Sequence, residues 1–418
     1  MNVLIISNLY PPNVLGGYEI LCGQVVQYLI ERQHTVHVLT SDHGVISGKR
    51  NKKEEQQVTR SLRLYLPFGE PAAFLRRARV KTARFDKRIT KEFIEQYQPD
   101  VIFIWSLLRL TPGSASAAEE SGIPVVYTFN DENIAGFLPA PHSFSLKPVI
   151  RWFLDTFVTP EITLRGLEFA HTTCISRIVK KNLLNRGMKI GNSHIIYQGI
   201  PIEQFPEKIA AGIMKKPVHI LYAGQLHFYK GVHTIIEALV KLKETAKETA
   251  KETMPEFTLT IAGRGAESDP YTDNLKSQAE QGEIPTDFLG IVPHHEMSEV
   301  YQKHDIFVFP SIWEEPFGLT HIEAMASGLP VVSTANGGQG EFLKAEENAL
   351  VFPPGDAEAL SVCLERLMTD ENLFKKLAKQ GRVTAVREFT FSRYVDELEN
   401  LLHLAAGVVG EVRELTNS

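Results

Sequence analysis

The 418-residue sequence predicts an α/β protein of two Rossmann-like, doubly wound parallel-sheet domains facing a central cleft. Three observations carry that expectation. Short apolar runs alternate with longer helical patterns along the whole chain, as β-α-β units require. The alternation restarts at His219-Ile220-Leu221-Tyr222-Ala223, after a stretch (residues 200–217) that holds Pro201, Pro206 and Pro217 and little apolar periodicity. The length also suits two cores of about 200 residues each better than one. The expected division is 1–205, 206–390 and a C-terminal helical segment, 391–418.

In order, the opening Met1-Asn2-Val3-Leu4-Ile5-Ile6 reads as a first strand, because it lacks a basic flank and is too short for a signal peptide. Further strands are expected at 35–39, 100–104, 124–128 and 170–174, with helices between them. The second half predicts strands at 219–223, 257–262, 286–289, 306–309 and 330–333, then helices near 371–388 and 391–405. The repeat from Lys243 to Thr253, K-E-T-A-K-E-T-A-K-E-T, extends the preceding helix through Glu244–Lys247 and Glu248–Lys251 pairs.

Apolar residues at 43% and charged residues at 22% are ordinary for a globular enzyme. A net charge of −6 gives no whole-protein attraction for nucleic acid, and none is expected as a partner. Cys22, Cys174 and Cys363 lie far apart, which points to neither disulfides nor a thiolate metal site and fits a cytoplasmic location. No run is long enough to span a bilayer.

The most informative segment runs from Phe307 to Gly328. A strand leads through Pro310-Ser311-Ile312-Trp313-Glu314-Glu315-Pro316-Phe317-Gly318 into a short helix from Leu319, which stops ahead of Pro330. Unpaired amides and the positive end of the helix dipole suit a phosphate there, and Gly318 permits close backbone approach. Glu315 and Glu323 bracket the turn and can accept hydrogen bonds from sugar diols. The same spacing also fits a dipole partner and a surface acid. A second phosphate candidate is Gly224-Gln225-Leu226-His227-Phe228-Tyr229-Lys230-Gly231, between a strand and a helix from Val232. Lys230 there is suited to neutralising a leaving group, or is an ordinary exposed lysine.

Together these segments resemble the family-4 retaining glycosyltransferases of GT-B fold, and the resemblance covers nearly the whole chain. Its hallmark is Glu315-Pro316-Phe317-Gly318, continued by Glu323-Ala324-Met325-Ala326-Ser327-Gly328-Leu329-Pro330 and by Gly337-Gly338 with Glu341. Weaker echoes are Pro11-Pro12 with Gly16-Gly17 and Glu19, Thr173-Cys174-Ile175-Ser176, Tyr197-Gln198-Gly199-Ile200 and Gly290-Ile291-Val292-Pro293.

The resemblance implies hexosyl transfer with retention from a nucleoside diphosphate sugar, UDP- or GDP-linked, to an acceptor hydroxyl, without metal or other cofactor. It makes Lys230 and Glu315 the catalytic pair. Glu323 would bind the donor ribose, Glu315 the transferred sugar, and the amides of Gly318, Leu319 and Thr320 the diphosphate, with Phe317 and Gln225 alongside. Gly16 and Gly17 would close over the phosphates or border the acceptor. Arg264 and Val292 would flank the base. The N-terminal domain becomes the acceptor side, the next the donor side, and the last helix returns to the first domain.

Two departures stand out. Gln225 occupies a position where the family usually has arginine, so one donor cation is missing. Asn130, before Asp131, stands where many relatives have histidine; it suits a sugar hydroxyl contact, and Asp131 a helix cap or acceptor contact. His227, His233, His294, His295 and His321 show no recognisable metal spacing.

Arg76, Arg77, Arg79, Lys81, Arg84, Lys87, Arg88 and Lys91 crowd one expected helix that also carries Phe74, Leu75, Val80, Phe85 and Ile89. Residues 144–167 add Phe144, Lys147, Arg151, Trp152, Phe153, Phe157 and Arg165. These read as an ordinary packed helix with a solvated charged face, as a peripheral contact with an anionic membrane at its inner face, or as a site for a phosphorylated acceptor. A sugar-nucleotide epimerase and a catalytically silent sugar-nucleotide binder are the rival functions. A dinucleotide oxidoreductase fits poorly, for want of the spaced glycine fingerprint.

Overall fold

The computed structural model describes residues 1–14, 16–44, 57–66, 75–138, 153–208, 217–248, 255–265 and 270–407. The chain divides into two compact units, Met1–Ile196 with Val395–Ser418, and Tyr197–Tyr394. The first division falls ahead of the proline-rich stretch because Tyr197–Phe205 packs into the second unit. There Tyr197 stacks on Phe317 at 5.7 Å, its hydroxyl donates to Glu341, and Ile200 bridges Thr390.

In the first unit, strands β1 (Asn2–Ser7), β2 (Thr35–Ser41), β3 (Val58–Leu62), β4 (Val101–Ile104), β5 (Val125–Phe129), β6 (His171–Cys174) and β7 (His194–Ile195) form one sheet in the order β3-β2-β1-β4-β5-β6-β7. Every pairing is parallel. Val3, Leu4, Ile5 and Ile6 are fully buried, as a central strand covered on both faces should be. Helices α1 (Gly17–Glu31), α2 (Leu75–Tyr97), α3 (Gly113–Glu120) and α4 (Arg177–Asn185) connect the strands. Ser176 caps α4 by accepting the Val179 amide.

The second unit repeats the plan. Strands β8 (Val218–Ala223), β9 (Phe257–Ala262), β10 (Thr286–Gly290), β11 (Ile306–Phe309), β12 (Val331–Ser333) and β13 (Leu350–Val351) pair in the order β10-β9-β8-β11-β12-β13, again all parallel. Helices α5 (Val232–Glu248), α6 (Tyr271–Gln281), α7 (Met297–Lys303), α8 (Leu319–Ala326), α9 (Ala357–Thr369) and α10 (Glu371–Glu388) follow. The last helix, α11 (Phe391–Ala405), begins in the second unit and contributes Val395–Ala405 to the first.

Strands β3, β7 and β13 are absent from the sequence expectation. β7 and β13 are two residues each, and β3 reads Val-Thr-Arg-Ser-Leu, with one apolar residue at each end. In the charged repeat, Lys243 donates to the carbonyls of Gly282 and Glu283 at the end of α6, so that part of the repeat packs locally. Lys251, Phe74, Phe144, Lys147, Arg151 and Trp152 lie outside the described residues.

Candidate active site

In an open parallel sheet, ligands bind beyond the carboxyl ends of the strands where the winding reverses. In the second unit that reversal lies between β8 and β11, which pair at Ile306–Ile220 and Phe307–Leu221. The two strand-end loops are Gly224–Gly231 and Pro310–Gly318, the two phosphate candidates of the sequence. They fit together only through glycine. Gly231 has φ +69°, and a Cβ there would lie 2.2 Å from the Pro310 carbonyl oxygen.

This packing brings Lys230 and Glu315 together. Lys230 Nζ lies 2.7 Å from both carboxylate oxygens of Glu315, and the Ser311 hydroxyl donates to Glu315 Oε1 at 2.6 Å. Both residues are buried, at 9% and 6% exposure, so the pair is neither solvated nor screened as a surface ion pair would be. The ammonium also lies 5.3 Å from the Trp313 ring centroid. The pair sets a buried cation and a buried acceptor side by side within strand-end loops whose Phe228, Tyr229 and Trp313 are exposed.

Gly318 initiates α8 at φ +118°, and a Cβ on it would meet His321 Nδ1 at 2.7 Å. The first amides of a helix have no intrahelical acceptor, so those of Leu319 and Thr320 are directed outward from this turn. His321 is fully buried, and burial lowers its pKa to about 3, so its ring is neutral. Its Nε2 meets the Ser333 hydroxyl at 2.9 Å, and that hydroxyl donates to the Phe309 carbonyl. The Gly318 backbone beside the ring acts on its pKa in the opposite direction to burial, but burial dominates. Gly337 and Gly338 let a later turn press on the same loop: Cβ atoms there would lie 2.3 Å from the Glu315 carbonyl oxygen and 2.1 Å from that of Pro316.

Glu323, 4% exposed on α8, accepts from the Tyr301 hydroxyl at 2.8 Å and lies 3.2 Å from His294 Nε2. That hydrogen bond raises the His294 pKa above its ordinary value. Ser311, Tyr301 and His294 are missing from the sequence reading, except that His294 is considered there as a metal ligand. Tyr301 and His294 lie 22 and 29 residues from Glu323, on elements whose approach no local spacing reveals.

The remaining sequence candidates are scattered. Gln225 and Arg264 are exposed on strand-end loops, and the Gln225 carbonyl accepts from the buried Tyr222 hydroxyl. Val292 is half-buried next to the exposed Ile291. Phe317, expected alongside the donor, is 2% exposed and packs its ring among Tyr197, Phe342 and Phe389.

In the first unit, Gly16 and Gly17 are exposed at the start of α1; a Cβ on either would meet nothing within 4 Å, and the Gly16 amide donates to Glu19 at 3.0 Å. Asn130 donates its amide to the Tyr18 hydroxyl, which donates to the Trp105 carbonyl at 2.5 Å while the two rings stack at 5.0 Å. Asp131 caps the turn at Asn133, accepting from its amide at 2.8 Å, and burial raises the carboxyl's pKa. Tyr18, Trp105, Asn130 and Asp131 line one narrow cavity.

Among the described residues, one group of possible metal ligands, His34, Glu399 and His403, brings its ligand atoms within 4.8 Å of one another. His34 Nε2 already bonds Glu399 Oε1 at 2.7 Å, and the Arg32 guanidinium bonds Oε2. A guanidinium against the same carboxylate opposes a dication, and the group acts as an ion-pair network.

Comparison with known proteins agrees with this architecture. The model for "Glycosyltransferase Family 4" matches residues 15–204, and that for "Glycosyl transferases group 1" matches residues 204–384. An uncharacterized glycosyltransferase of Methanocaldococcus jannaschii is 24% identical, over 98% of this chain and all of its own. A glycogen synthase of Mycobacterium tuberculosis is 25% identical over 93% of this chain and 91% of its own. The crystal structure of Anabaena HepE in complex with UDP and glucose superposes with a TM-score of 0.68 at 18% identity, covering 96% of this chain and 99% of that one.

Proposed function

Because the chain belongs to the family-4 glycosyltransferases of GT-B fold, we propose that it transfers a hexosyl group from a UDP-sugar to an acceptor hydroxyl, with retention and without a metal ion. The observation that carries this reading is the buried Lys230–Glu315 pair beside the opening turn of α8. A diphosphate placed on the Gly318, Leu319 and Thr320 amides gains the positive end of the helix and the Lys230 ammonium. As the glycosidic bond breaks, negative charge grows on that diphosphate, and a preorganised cation in a dry site lowers the barrier. Glu315 orients the sugar hydroxyls, and Glu323, aligned by Tyr301 and His294, accepts from the ribose diol. UDP is favoured over GDP because HepE, which shares the fold, holds UDP and glucose. The products belong to glycan, glycolipid or small-glycoside synthesis, with the acceptor held by the first unit.

Slow hydrolysis of the donor tests this without an acceptor. In NMR of a UDP-hexose incubation, the anomer first released keeps the donor's configuration, and EDTA leaves the rate unchanged. An inverted first product, or loss of activity with EDTA, overturns retention or metal independence respectively.

A further inference from the structure

Helix α2 carries eight Arg and Lys against three Asp and Glu, in a chain of net charge −6. Its exposed cations are Arg77, Lys81, Arg84, Arg88 and Lys91. These recur at steps of four and three residues, so they form one stripe along a single face, while Ala83, Asp86, Thr90, Phe93 and Ile94 are buried on the other side. At about 1.5 Å per residue the stripe is about 21 Å long.

A turn of different chemistry is clamped beside it. Arg76 bonds Asp155 Oδ1 at 3.0 Å and the Thr159 hydroxyl, and Arg84 bonds Glu161 at 2.7 Å. Between and just before those anchors, Phe153, Phe157 and Val158 are 52%, 62% and 49% exposed, the two rings 5.4 Å apart. A row of cations next to a small apolar wedge is a poor water-facing surface but complements the boundary between anionic headgroups and acyl chains. The surface ion pairs Arg84–Glu161 and Arg88–Glu92 offset two of the five charges, and Arg77, Lys81 and Lys91 supply the net positive charge of the stripe.

We propose that this face of the first unit docks on an anionic lipid bilayer, with the α2 stripe on the headgroups and Phe153, Phe157 and Val158 inserted at the interface. The choice of a bilayer rests on the combination of charge and exposed apolar side chains, since a free phosphate or a polyanion uses only the charge. None of these residues belongs to the donor site, so docking and donor binding are separable.

Co-sedimentation with phosphatidylcholine vesicles, with and without phosphatidylglycerol, tests it. The protein is expected to sediment with the anionic vesicles, and Arg77→Glu/Lys81→Glu to lower that partition at least about tenfold. Phe157→Ser is expected to lower the share that stays bound at high salt, where screening has removed most of the electrostatic part. Both variants should keep the wild-type melting temperature and nucleotide-induced shift. Absence of binding to anionic vesicles overturns the proposal. So does equal retention of Phe157→Ser together with tight binding to RNA, which would make the stripe a general polyanion site.

Discussion

At the residue scale the proposed donor site turns on Lys230 and Glu315, a buried pair whose members each leave an uncompensated charge if the other is removed. Lys230→Ala is expected to cost about 3–5 kcal/mol in denaturant unfolding, and adding Glu315→Gln to recover part of it. A loss below about 1 kcal/mol would mean that the pair is solvated. A second residue makes a pH prediction. Burial raises the Asp86 pKa from 3.8 to about 7, against the Arg63 amide that bonds it at 3.0 Å. Between those values the native state holds a proton the unfolded chain has released, so stability falls as pH rises through that window. Asp86→Asn should flatten the fall, by about 2–4 kcal/mol between pH 4 and 7; an unchanged slope contradicts the assignment. The strand-end setting of Lys230, Glu315 and Glu323 was legible because strand, turn and helix are contiguous in sequence around them. Ser311 was in plain view but unremarked, since a serine in a loop has many uses. The packing of the Phe317 ring against Tyr197, Phe342 and Phe389 was not legible, because those partners are distant in sequence.

At the scale of elements, glycines decide whether the loop around Glu315 can be assembled. Gly338→Ala places a Cβ 2.1 Å from a backbone oxygen, so the turn must move, at an expected cost of about 1–3 kcal/mol and a loss of nucleotide binding. Gly136→Ala, with no atom within 4 Å of its Cβ position, is the neutral control. Melting curves with and without nucleotide separate the two, and equal behaviour would contradict the packing described. The helices from Glu371 and Phe391 were legible to within a residue because both are long and amphipathic. β3, β7 and β13 were not, since a short edge strand is defined by its neighbour's register more than by its own pattern.

At the scale of the whole molecule, two units use one winding order, and the chain crosses between them at residues 196/197 and 394/395. The C-terminal helix ties its end to the first unit through Arg32 with Asp396 and Glu399, beneath which Val395, Leu398, Leu401 and Leu402 are buried. Leu401→Ala should cost about 2–5 kcal/mol, read as a lower melting temperature; a neutral effect would show that this helix is not part of the first core. The repeated α/β alternation made two sheets legible, whereas the 365-residue separation of His34 from Glu399 hid their pairing. The most direct test of the donor site is isothermal titration of UDP, GDP and ADP into wild-type protein and into Lys230→Ala and Glu323→Gln. UDP is expected to bind most tightly, and each substitution to weaken it at least about tenfold, a loss of about 1.4 kcal/mol. Failure of all three nucleotides to bind folded wild-type protein would contradict the proposed donor site and favour the reading in which Gln225 has cost the chain its donor.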